Sequence, residues 1–60
     1  MKNAIKKITK AGYAWSMRYE PGVGIEFRVT NEGVIVSRRV VRGLSELKQE
    51  LKGVLEDLGL

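Results

Sequence analysis

Tyr13–Thr30 reads YAWSMRYEPGVGIEFRVT, two runs of alternating apolar and polar residues around a Pro-Gly turn. A period of two marks a half-buried strand, because successive side chains leave opposite faces of a sheet. Tyr13, Trp15, Met17 and Tyr19 share one face of the first run, with Ala14, Ser16, Arg18 and Glu20 on the other. In the second run Ile25, Phe27 and Val29 point inward and Glu26, Arg28 and Thr30 outward. Pro21-Gly22-Val23-Gly24 joins them, the proline presetting φ and the glycines free to take positive φ. An antiparallel hairpin is the expected result.

Downstream, Asn31-Glu32-Gly33 is a second turn. A three-residue loop with Gly33 left-handed pairs Thr30 with Val34, and sets Val29 opposite Ile35 and Arg28 opposite Val36. The third strand, VIVSRRVVRG (Val34–Gly43), is apolar on both faces. In that register Ile35, Ser37, Arg39 and Val41 lie inside, while Val34, Val36, Arg38 and Val40 lie outside; a bulge near Arg38-Arg39 would exchange the faces partway. A meander makes this strand an edge, and a long edge with apolar residues on both faces invites pairing. Val34, Val36 and Val40 are therefore the expected partner edge, most simply with a second copy in a homodimer. Cover by a helix is the alternative.

Helices flank the meander. Asn3–Gly12, NAIKKITKAG, places Ala4, Ile5, Ile8 and Ala11 on one stripe and lysines on the rest, with Asn3 a candidate N-cap and Gly12 at the left-handed end. Its apolar stripe is too short for a membrane-surface helix. Leu44–Leu60, LSELKQELKGVLEDLGL, carries Leu44, Leu47, Leu51, Val54, Leu55 and Leu58 at helical spacing. Ser45 or Gly43 caps its start, Glu46 complements the dipole, Lys52 and Glu56 stand one turn apart, and Gly59 ends it. Gly53 in its interior costs about 1 kcal/mol relative to Ala, which close approach to the sheet would explain. The sequence thus predicts an α+β fold, α-β-β-β-α, with a three-stranded antiparallel meander, both helices on one face, and one domain over residues 1–60.

Sixty residues bury a small core, and chains this short usually need a staple. With no Cys and no His there is no disulfide, zinc or other metal site to expect, and association is the staple left open. Absence of Cys suits the cytoplasm, and no apolar run approaches the length of a membrane span. The net charge of +4 is uneven: residues 1–42 hold nine Lys or Arg against three Glu, residues 43–60 two Lys against four acids. The positive field therefore belongs to the first helix and the strands.

Catalysis is not expected. His and Cys, the common base and the thiol nucleophile, are missing, and Ser16, Ser37 and Ser45 have no candidate base beside them. Glu20 and Glu26 lie on the solvent side of a hairpin, without a cleft to shift one of them. Gly22–Phe27, GVGIEF, begins like a glycine-rich phosphate loop but lacks the later glycine and joins two strands. No cofactor or small-molecule substrate is expected.

Binding remains, with two candidate partners. For nucleic acid, Arg18, Arg28 and Arg38 fall one per strand on the outer face, Arg39 and Arg42 stand near the strand end, and Lys6, Lys7 and Lys10 line the first helix. Arginine suits phosphate because its planar fork donates two bonds at once. The same face carries Glu20 and Glu26, so a cross-strand Arg–Glu network is the competing structural reading. Tyr13, Trp15, Tyr19 and Phe27 fall on the helix-facing side and are expected to be core rather than a platform for bases. For an acidic protein surface, the open valine edge could add a strand to a partner, making the chain an inhibitor or adaptor.

The order helix, three-stranded meander, helix resembles the layout of double-stranded RNA-binding domains over almost the whole chain. Those domains use a His-containing loop between the first two strands and a Lys-Lys-x-Ala-Lys run opening the last helix. Here the loop is Pro21-Gly22-Val23-Gly24 and the helix opens Leu44-Ser45-Glu46-Leu47-Lys48, so no RNA-binding residue carries over. In size and style the chain is also similar to very short phage proteins, among them anti-CRISPR inhibitors.

Overall fold

The computed structural model describes residues 1–60, ordered α1 (Lys2–Lys10), β1 (Ala14–Glu20), β2 (Gly24–Asn31), β3 (Val34–Val41) and α2 (Leu44–Asp57). The strands form one antiparallel sheet in the order β1-β2-β3, which makes the expected α-β-β-β-α fold and leaves both β1 and β3 as edges. No helix is long and apolar enough to cross a membrane.

The first hairpin follows the alternation. Trp15 pairs with Val29, Met17 with Phe27 and Tyr19 with Ile25, so these six share a face. The chain then turns through a bonded Glu20–Val23 segment, where the Val23 amide donates to the Glu20 carbonyl. Gly24 takes φ +131°, and a Cβ there would collide with the Val41 carbonyl oxygen across the sheet. Glycine is required at that position for both reasons.

The second hairpin departs from the expected register. Its loop is two residues, not three: Asn31 pairs with Val34, and Glu32 and Gly33 both adopt positive φ, 53° and 81°. That geometry twists with the flanking strands, which is why two-residue hairpins favour it. Thr30 then faces Ile35, Val29 faces Ser37, and Val36 is the extra residue of a bulge. The bulge therefore lies ahead of Arg38-Arg39. The two-residue loop sets Ile35 on the side of Thr30, and the bulge after it returns Ser37, Arg39 and Val41 to the inner face, opposite Val29, Phe27 and Ile25.

Eight buried side chains form the core: Ile8 from α1, Ile25, Phe27 and Val29 from β2, Val41 from β3, and Leu47, Leu51 and Val54 from α2. β2 is central, and its inner residues are covered completely or nearly so. α2 lies across β3 and β2, and α1 fits between α2 and the start of β1. Leu44, expected on the core stripe of α2, is exposed.

Capping also differs in detail. α1 starts two residues earlier than Asn3 would allow as a cap, with Met1 in that position and no capping side chain. The Glu46 carboxylate accepts a 3.1 Å bond from the Arg42 amide, just ahead of the Gly43 cap of α2. This satisfies a donor beside the helix start while placing negative charge at the positive end of the dipole. Lys52 and Glu56 form no ion pair.

Candidate functional site

The outer face of the sheet holds the arginines that the sequence singles out, arranged around one carboxylate. Arg28 and Arg38 are cross-strand partners, and Arg18 pairs with Glu26 across β1 and β2. Glu26, only 14% exposed at its side chain, accepts from Arg38 at 2.6 Å and from Arg28 at 3.1 Å, with Arg18 at 3.9 Å. Arg18 also meets Glu20 at 2.9 Å. The hydrogen bond from Arg38 holds the Glu26 carboxyl below the ordinary carboxylate range; partial desolvation opposes this, and the charges of Arg28, Arg38 and Arg18 reinforce it. Three guanidiniums and two carboxylates thus form a largely self-neutralised network. The shallow depression here, about 90 Å³, is lined by Arg18, Glu20, Val23, Gly24, Glu26, Arg38 and Val40.

Arg39 points the other way. From the inner face of β3 it reaches Glu50 at 3.2 Å and Asp57 at 2.8 Å on α2. Asp57 also accepts from Ser37 at 3.2 Å, which accounts for the buried hydroxyl. The guanidinium lies over Gly53, where an added Cβ would stand 3.0 Å from its Nη2. Gly53 therefore gives room to the arginine that ties α2 to β3. Arg39 has a structural role and does not join the outer arginines.

The free positive charge is elsewhere. Lys2, Lys6, Lys7 and Lys10 of α1 form the largest group without an ion pair, and Arg42, Lys48 and Lys52 have none either. Lys2, Lys6 and Lys10 line one flank of α1 with Ile5 and Thr9. Lys7 and Lys10 border a second shallow area with Ala11 and Leu60.

Beside α1 the inner face is bare. The helices cover β2 and β3 but not the length of β1, so Trp15, Met17 and Tyr19 are 39, 42 and 69% exposed. For Trp15 and Tyr19 this corrects the expectation that they are core. Phe27 alone of the four aromatics is fully buried, and Tyr13 packs half-buried against the core edge. Alternation correctly placed the β1 residues on the helix side; what it lacks is the width of the helical layer, which spans two strands of three. Trp15 lies nearly parallel to Phe27, at 17° with centroids 5.9 Å apart.

On the opposite edge, Val34, Ile35, Val36 and Val40 of β3 are exposed. The expected valine edge is open, with Ile35 an addition that the two-residue loop turns outward. Compared with protein-family models, curated proteins and solved structures, the chain matches none.

Proposed function

We propose that this chain is a small non-enzymatic module that binds nucleic acid through α1 and the uncovered sheet beside it. The observation that carries the reading is the division of charge. Four of the five arginines are occupied by carboxylates, whereas the four lysines of α1 have no internal counter-ion. Cations left unpaired on one helix attract a polyanion and release its counterions on binding. Relative to the sequence reading, Lys6, Lys7 and Lys10 stay in the interface, Lys2 joins them, and Arg18, Arg28, Arg38 and Arg39 leave it. A Cys-free chain suits the reducing cytoplasm, where we place it.

Fluorescence anisotropy with labelled DNA and RNA oligonucleotides at about 50 mM salt tests the reading. Binding that weakens when Lys6, Lys7 and Lys10 become Ala supports it. An affinity that depends instead on Arg18, Arg28 and Arg38 moves the site to the outer face.

A second reading rests on the exposed β3 edge. Val34, Ile35, Val36 and Val40 fit strand pairing with a protein, either a second copy or a target that the chain inhibits or recruits. Sedimentation velocity distinguishes the self-paired case. A dimer that Val36→Lys with Val40→Lys converts to a folded monomer supports it, and a wild-type monomer at high concentration disposes of it.

A further inference from the structure

We infer that the nucleic acid is single-stranded, and that its bases stack on Trp15 and Tyr19. The inference rests on the function proposed above and specifies the ligand of that same site.

Trp15 presents a fixed shelf. Its ring lies nearly parallel to that of Phe27, which is wholly buried. With centroids 5.9 Å apart the two rings overlap only in part, and Trp15 stays 39% exposed, so indole surface is left for a ligand. Tyr19 stands four residues along the same face of β1, about 13 Å away at the usual strand rise. Met17, between them, continues the apolar strip. Aromatic rings set along a strand accept successive bases without regard to sequence, because every base has a π-face.

Charge selects the same ligand. Trp15, Met17 and Tyr19 share a face with Val29, Phe27 and Ile25, and that face also receives Ile8 of α1. The unpaired lysines therefore stand on the layer that flanks the aromatic strip. Phosphates can follow α1 while bases turn onto β1. A duplex keeps its bases stacked on one another and has no free ring face for two shelves this far apart. It also calls for a broad cationic surface, and Glu20 and Glu26 cancel most of the positive charge on the broad face of this sheet.

Trp15 is the only tryptophan, so its emission reports the contact directly. The test is a titration at about 50 mM salt with oligodeoxythymidine, oligouridine and a duplex of equal length. Saturable quenching by a single strand, with weaker binding of the duplex, is expected; the two single strands decide between DNA and RNA. Tyr19→Ala and Trp15→Leu should each weaken single-strand binding roughly 5- to 150-fold in anisotropy, with duplex affinity unchanged. Trp15→Leu also loses its contact with Phe27, so circular dichroism must show it folded; Tyr19 is well exposed, and its variant carries the test regardless. Equal binding of both forms with unchanged Trp15 emission, or an intact affinity in Tyr19→Ala, overturns the inference and leaves binding to the lysines of α1. No binding of any oligonucleotide overturns the proposed function as well.

Discussion

Single residues show how closely this chain is constrained. Gly24 combines a φ of +131° with a Cβ position occupied by the Val41 carbonyl, so Gly24→Ala must displace β3 or break the pairing of Ile25 with Val41. A lowered thermal midpoint is expected, well beyond that of Gly22→Ala, whose position is open to solvent; equal midpoints would contradict the collision. Glu26 sets a pH dependence. Its carboxyl is held below the ordinary carboxylate range, chiefly by the hydrogen bond from Arg38, so the folded state binds its proton less readily than the unfolded chain. The stabilisation is complete above about pH 5, begins to fade as pH falls through the ordinary carboxylate range, and is gone below the lower folded value. Thermal melts between about pH 7 and about pH 2 should therefore show a smaller acid loss in Glu26→Gln than in the natural chain. A parallel loss in both would contradict the network. The same variant leaves Arg28 and Arg38 without their counter-ion, so oligonucleotide binding should not weaken in it.

At the scale of elements, α2 and β3 are joined by Arg39 through Glu50 and Asp57, and Gly53 makes the space. Gly53→Ala should gain about 1 kcal/mol of helix propensity but push against the guanidinium. We expect little net change alone, and a gain near the full amount in an Arg39→Met background, read by chemical denaturation. An equal effect in both backgrounds would deny the coupling. The legibility of the fold also divides by element. The first hairpin is plain in the alternation, and the α2 stripe in Leu47, Leu51 and Val54. The second hairpin is not, because Glu32 accepts a positive φ that glycine or asparagine would have advertised. Once that turn closes in two residues, the bulge at Val36 is what returns Ser37, Arg39 and Val41 to the core face. The candidate site was half legible: the lysines of α1 are visible as a cluster, but exposure of Trp15 and Tyr19 depends on how far two helices reach across three strands.

For the whole molecule, the small core limits stability. A single core below about 70–80 residues seldom supplies more than ~3–5 kcal/mol, while Phe→Ala in a core costs ~3–5 kcal/mol. Phe27→Ala should accordingly be largely unfolded by circular dichroism, and a cooperative transition close to that of the natural chain would contradict its central place. The arrangement of charge follows the same economy of size. Five of the seven acids are spent on fixing arginines or the Arg42 amide, which leaves the net +4 to the lysines and the Arg42 side chain at the surface. That separation between structural arginines and free lysines is the central claim, and the salt dependence of oligonucleotide affinity tests it most directly. For a single strand, log K should fall with log salt at about −0.7 per phosphate neutralised, and replacing Lys6 and Lys10 with Ala should flatten the slope by roughly 1.4 while replacing Arg28 and Arg38 leaves it nearly alone. A slope that flattens with the arginines and not with the lysines, or no binding at about 50 mM salt, would contradict the account.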